Sequence, residues 1–163
     1  MNILYREIDF EIEESIVRAF GEWVRDFECI HRGEGCCSIA AMAGDRPVGF
    51  ISTCRRDYPE PLTGYYDAFI DVIEVDPAYR RSGIAKTLIR LTEEWARAYG
   101  YHQIGSWSSD DKKEAINMWY AMDYCVSPAV MRGESLLDEF KNHKIPGFYV
   151  AKMLNPFGQQ QRS

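Results

Sequence analysis

Positive charge is the first thing this chain is short of. Its 163 residues carry 19 lysines and arginines against 25 aspartates and glutamates, a formal net charge of −6. That balance argues against a protein that grips the phosphate backbone of nucleic acid. No apolar run approaches the ~20 residues needed to cross a bilayer. The opening "MNILYREIDFEIEE" lacks the basic-then-apolar character of a signal peptide. These absences exclude a membrane partner and point to the cytoplasm. The five cysteines, Cys29, Cys36, Cys37, Cys54 and Cys125, are odd in number and include no C-x-x-C spacing. They therefore read as reduced thiols, not as a disulfide framework or a zinc site. His31, His102 and His143 are scattered without ligand spacing and read as surface or strand-end residues, so no metal is expected. Neither GxxxxGK[ST] nor GxGxxG occurs, which removes the nucleotide-triphosphate P-loop and the dinucleotide fingerprint.

Apolar residues make up 46% of the chain and aromatics 13%, enough for one substantial core. The organisation expected is a single domain over 1–154 followed by a polar tail over 155–163. Alternation in "NILYRE" predicts a short strand, and helical spacing from Ile12 to Phe27 predicts an amphipathic helix. "CCSIAAMAGDRPVGFISTCR" reads as a hairpin turning at Gly44-Asp45, and "RDYPEPLTG" as a loop. "YYDAFIDVIEVD" predicts a strand and residues 83–99 a helix, with Ile84, Leu88, Leu91, Trp95 and Ala98 on its buried face. "YHQIGSWSS" is a further strand. "SDDKKEAINMWYAMD" is a helix with Ser109 or Asp110 as its N-cap. "YCVSPAV" and "GFYVAKML" are strands around a short helix over 134–143, which is placed to border an acceptor site or a homodimer contact. The order implies an α/β (α+β) fold: a mixed, mostly antiparallel central sheet flanked by helices.

One junction stands out. "DPAYRRSGIAKTLI" runs from a strand into a helix whose start gathers Gly83 and Ala85 with Arg80, Arg81 and Lys86. The first amides of a helix have no intrahelical partner, and the peptide dipoles add positive potential there. Small residues leave room for an anion to reach them, and flanking cations reinforce it.

The stretch "IEVDPAYRRSGIAKTLI" resembles the acetyl-CoA-binding motif of the GNAT N-acetyltransferase superfamily, with Arg80, Gly83 and Ala85 in its three signature positions. The likeness extends to the preceding hairpin, to "EAINMWYAMDY" and to the final strand. It implies the acyl-CoA N-acyltransferase fold and acetyl transfer from acetyl-CoA to a primary amine, of a small molecule or of a protein; the acid groups in "RDYPEP" and Asp67 would add attraction for a cationic acceptor. A non-catalytic acyl-CoA-binding module of the same fold is the alternative. The resemblance further implies that the amides of Arg81, Ser82, Gly83, Ile84, Ala85 and Lys86 hold the diphosphate. The backbone of Ile73 and Val75 would pair with pantetheine.

By the same resemblance, Asp71 occupies a position where another member carries a catalytic histidine, and Glu74 is the other carboxylate candidate for a base. Family members commonly place a tyrosine, the proton donor to the leaving thiolate, where this chain has Trp119. Indole cannot protonate a thiolate. Tyr120 is adjacent but about 100° around the helix, so it is the substitute candidate and Trp119 a cofactor contact. Asp123 stands where the family has glycine, acceptable at positive φ.

Overall fold

The computed structural model describes residues 2–58, 60–132 and 144–155. The chain forms two compact units, Met1–Ile104 with Met153–Ser163, and Gly105–Lys152. The helix expected over 134–143 and most of the expected tail lie outside the described residues.

In the first unit, β1 (Leu4–Glu7) leads to α1 (Phe10–Phe20) and the short α2 (Trp23–Asp26). β2 (Cys36–Ala43), β3 (Arg46–Asp57) and β4 (Tyr66–Val75) follow, then α3 (Ile84–Ala98). β1 through β4 pair antiparallel in chain order. β5 (Gln103–Ser109) starts beside β4, where His102 N–H donates to Tyr66 O at 2.9 Å.

The single helix expected from Ile12 to Phe27 is in fact two. Asp9 caps α1 by accepting from Ile12 N–H at 2.8 Å, which starts the helix earlier. Gly21, at φ 111°, ends it and donates its N–H to Val17 O. The Trp23 indole N–H then donates to Phe20 O at 2.7 Å and satisfies a terminal carbonyl. The hairpin turns at Gly44-Asp45 as expected, with Gly44 at φ 63°. Ile8, Ile12, Ile16, Val17, Val24 and Phe50 anchor the core beneath α1, with Phe20 edge-on to Phe50. Each such side chain contributes about 1.5–3 kcal/mol of apolar burial.

α3 packs across β2, β3 and β4. Its buried face holds Ile84 and Leu88 as expected, but continues through Ile89, Thr92, Glu93 and Ala96. Ala98 is exposed. The face is rotated because Thr92 satisfies its hydroxyl on Leu88 O at 3.0 Å and Glu93 pairs with Arg97, so both polar residues tolerate burial. Asn155, the first residue of the expected polar tail, is tied down by its side-chain amide to Tyr101 O at 2.6 Å.

The five-thiol reading is also corrected. Cys36 and Cys54 are directly opposed on β2 and β3 and form a disulfide, leaving Cys29, Cys37 and Cys125 free. Strand register brings together two cysteines that are 18 residues apart in sequence.

In the second unit, a 3-10 turn (Asp110–Lys112) opens α4 (Lys113–Tyr120), and β6 (Cys125–Arg132) pairs antiparallel with β7 (Lys144–Met153). β7 lies between β5 and β6. Neither expected cap, Ser109 or Asp110, is made among the described residues, and the Ser109 hydroxyl turns to Asp111 instead. Asp123 adopts φ 64°, as its glycine-like position requires. β1 to β4 in sequence, and β6 with β7, thus pair antiparallel, and the mixed α/β class read from sequence holds.

Candidate active site

β4 ends in a turn that is held from several directions. Asp76 N–H donates to Val48 O at 2.9 Å, and its carboxylate accepts from Ala78 N–H at 2.9 Å and from Arg46 at 2.7 Å. Pro77 opens a single 3-10 turn over Pro77–Tyr79. The backbone is then left-handed at Arg81 (φ 61°) and again at Gly83 (φ 87°), the residue before α3. Such alternation turns consecutive N–H groups to one side and makes a concave anion site.

Those amides are open. The first helical bond is Thr87 N–H to Gly83 O at 3.0 Å, and among the described residues no N–H from Arg81 to Lys86 donates a hydrogen bond. No side chain caps the helix, and the Ser82 hydroxyl is directed away, to Tyr79 O. A Cβ placed on Gly83 would meet nothing within 4 Å, so the approach is clear. A diphosphate fits this row of unpaired donors. Gly49 keeps the helix start in place: a Cβ there would lie 3.1 Å from Glu74 O and 3.2 Å from Ile84 Cγ2.

The cations divide. Arg80 does not flank the cradle as a free charge. Its guanidinium donates to Val75 O at 3.2 Å and to the Glu74 carboxylate at 3.1 Å, which binds it back onto the end of β4. Among the described residues no ion pair engages Arg81 or Lys86. Glu74 is thereby an ion-pair partner. Ile73 and Val75 lie opposite Ile51 and Gly49 of β3.

Asp71 sits at a break in the β3–β4 ladder. Ser52 pairs with Val72 while Thr53 pairs with Ile70, so Asp71 is the extra residue of a bulge. A bulge re-aims a side chain, and that of Asp71 is 49% exposed. Its Oδ2 lies 2.8 Å from His31 Nε2. Sequence reading passed over this histidine, because nothing in its spacing signals a carboxylate partner 40 residues away. Its main chain is fixed by a buried pair of hydroxyls from opposed strand positions. His31 N–H donates to Ser52 Oγ at 2.9 Å, and Ser38 Oγ donates to His31 O at 2.7 Å. The two hydroxyls are 2.8 Å apart, so Ser52 must donate to Ser38 to complete the set. The Asp71 hydrogen bond is the main influence on the His31 imidazole and raises its pKa above the ordinary value. Burial opposes that rise, and the Asp71 and Glu28 charges add to it.

Asp67, counted with the acidic residues that would attract a cation, is 2% exposed. It is engaged by the Tyr58 hydroxyl and, at 2.6 Å, by the Gln103 amide. In the second unit the last two residues of α4 face different surroundings. Trp119 is 1% exposed with its ring 4.8 Å from Tyr124, whereas Tyr120 is 58% exposed. One helical step of about 100° accounts for the contrast.

Known proteins now bear on this arrangement. The chain is 27% identical over 100 residues to an aminoglycoside N(6')-acetyltransferase type 1 of Salmonella typhimurium, covering 61% of this chain and 69% of that one. Among solved structures, aminoglycoside N-acetyltransferase AAC(6')-Iy in complex with CoA superposes with TM-score 0.62 and 25% identity. That match covers 73% of this chain and 89% of the other. Arabidopsis thaliana NAA60 in complex with acetyl-CoA shares the fold at TM-score 0.69 and 17% identity, over 95% of this chain and all of that one. A model of the Acetyltransferase (GNAT) family matches residues 3–124, which include β4, the open amides and α3. Three-quarters of the chain thus conforms to one pattern, and the protein belongs to the acetyltransferase (GNAT) family, an enzyme with acetyl-CoA as its co-substrate.

Proposed function

We propose that this enzyme transfers acetyl from acetyl-CoA directly to a primary amine of a small, cationic molecule. The observation that carries the reading is the unobstructed row of amides from Arg81 to Lys86 at the end of the strand that presents Asp71. A cationic acceptor is supported by the partly exposed Asp71 carboxylate and by similarity to a protein named for acetylating aminoglycosides, which carry several amines.

In this reading the amides, with Arg81 and Lys86 beside them, hold the diphosphate. The main chain of Ile73 and Val75 lines the pantetheine arm. An N–H at Ile73 stabilises developing negative charge on the thioester oxygen, an effect worth on the order of 10²–10³ in rate. Asp71 is the centre of the acid–base chemistry. Glu74, taken up by Arg80, steadies the strand end and is not the base. Tyr120, exposed at the end of α4, is the residue that the family resemblance puts forward as proton donor to the leaving thiolate, and Trp119 is buried against Tyr124. The same reading keeps the enzyme in the cytoplasm.

The test is release of CoA thiol from acetyl-CoA across a panel of amines: an aminoglycoside, a linear diamine and a peptide with a free N-terminus. Turnover is expected with the first two. Turnover confined to the peptide would move the acceptor to proteins, and no turnover at all would overturn the reading.

A further inference from the structure

We infer that His31, which reaches Asp71 from the loop between α2 and β2, is the group that takes the proton from the acceptor amine, with Asp71 as its positioning residue. The inference rests on the N-acetyltransferase reading and assigns an atom to its least specified step.

Three observations converge on His31. The first is orientation. Nε2 is 2.8 Å from Asp71 Oδ2, so in the neutral ring Nε2 carries the hydrogen and donates it to the carboxylate. Nδ1 is left with a lone pair and makes no hydrogen bond among the described residues. A carboxylate that fixes the tautomer and leaves the opposite nitrogen basic is the general arrangement for an imidazole base. The second is rigidity. Both main-chain groups of His31 are held by the Ser38–Ser52 hydroxyl pair, and these serines are 4% and 0% exposed. Buried, mutually satisfied hydroxyls on two paired strands fix the loop at this residue. A solvated surface histidine needs no such fixture.

The third is access. The His31 side chain is 32% exposed and borders a depression of about 600 Å³. The charged groups that face it are Asp71 on β4, Glu28 in its own loop, Glu13 and Glu14 of α1, Arg25 of α2 and Arg32. Arg25 is paired with Glu14 and Arg32 with Glu13. Glu28 has no ion-pair partner among the described residues, so the surplus charge beside the imidazole is negative, which favours an approaching ammonium. Asp71 lies four residues before Val75, roughly 13 Å of strand from the mouth of the amide cradle. β4 therefore carries both the base and the cradle.

The step balances as follows. Nδ1 accepts one proton from the acceptor ammonium, leaving a neutral amine. The amine nitrogen adds to the thioester carbonyl carbon, and the carbon–sulfur bond breaks with its electron pair going to sulfur. The second proton leaves nitrogen and ends on the thiol. His31 returns its proton to solvent, so each turnover gives amide, CoA thiol and one proton.

The experiment is kcat and kcat/KM against pH for CoA release with the best amine of the panel, in wild type, His31→Gln and Asp71→Asn. The shift in Tm on adding acetyl-CoA is measured alongside. Wild type should show a limb rising with pH. His31→Gln should lose about 10²–10⁴ in kcat and that limb while keeping the acetyl-CoA shift in Tm. Asp71→Asn should move the limb to lower pH, because the interaction that raises the imidazole is gone, and should cost less rate. Undiminished turnover in His31→Gln overturns the assignment while leaving the N-acetyltransferase reading intact. Failure of wild type on every amine removes both. Should His31→Gln not fold, NMR titration of the wild-type imidazole decides: coincidence with the kinetic limb supports the assignment, and separation overturns it.

Discussion

His31 Nε2 and Asp71 Oδ2 lie 2.8 Å apart although 40 residues separate them in sequence. One comes from a loop and the other from a strand bulge. Because the pair raises the imidazole pKa, it also makes stability depend on pH. A raised folded-state value means that the contribution is complete below the unfolded imidazole pKa of about 6.5 and fades as pH rises through the folded value. Wild type should therefore exceed Asp71→Asn in stability most at about pH 6, with the gap narrowing toward about pH 9. Denaturant titrations across that range check it, and a gap that widens with pH would contradict the pairing.

Gly83 separates two effects in two substitutions. Gly83→Ala keeps the cradle open but places a Cβ at φ 87°, at a cost of about 1–2 kcal/mol, with acetyl-CoA binding retained. Gly83→Trp should bind no acetyl-CoA, because a large ring would cover the amides. Calorimetric titration with CoA reads the difference, and retained affinity in the tryptophan variant would remove the cradle from the site.

Gly49 acts on the same site from below. A Cβ there would crowd Glu74 O, Ile84 and Val75 at 3.1–3.3 Å. Gly49→Ala should lose about 1–3 kcal/mol by overpacking and weaken acetyl-CoA binding as well, since Ile84 is the first residue of α3. A loss of stability with affinity unchanged would show that the helix start tolerates the shift.

The free cysteines should differ in reactivity. Burial pushes the thiols of Cys29 and Cys37 up to about 11, so both are almost wholly protonated near neutral pH. Cys125 is exposed. A thiolate-selective reagent on native, unreduced protein should label Cys125 quickly and the other two slowly. Peptide mapping assigns the sites, and fast labelling of Cys29 would contradict its burial.

The helix over 84–98, the hairpin at Gly44-Asp45 and the strand over 66–75 were legible because each rests on local signals: spacing of apolar residues, turn residues and a glycine before a helix. The open turn before α3 was legible for the same reason. Its donors belong to one short stretch whose conformation Pro77 and Gly83 largely dictate. The single helix assigned to Ile12–Phe27 went astray at Gly21, where apolar spacing continues through a backbone that does not. Cys36 opposite Cys54, and His31 beside Asp71, carried no local mark at all.

What the residues determined unaided was therefore the class of fold, the open turn before α3 and the family to which both belong. All three depend on interactions within about one helical turn or along one strand. What only the tertiary structure decided was which polar side chains meet. Register on β2, β3 and β4 opposes Ser38 with Ser52, skips Asp71, and turns a histidine from a distant loop onto the displaced carboxylate. A one-residue change in that register would point the strand side chains among them to the opposite face, and nothing in the sequence around His31 records its meeting with Asp71.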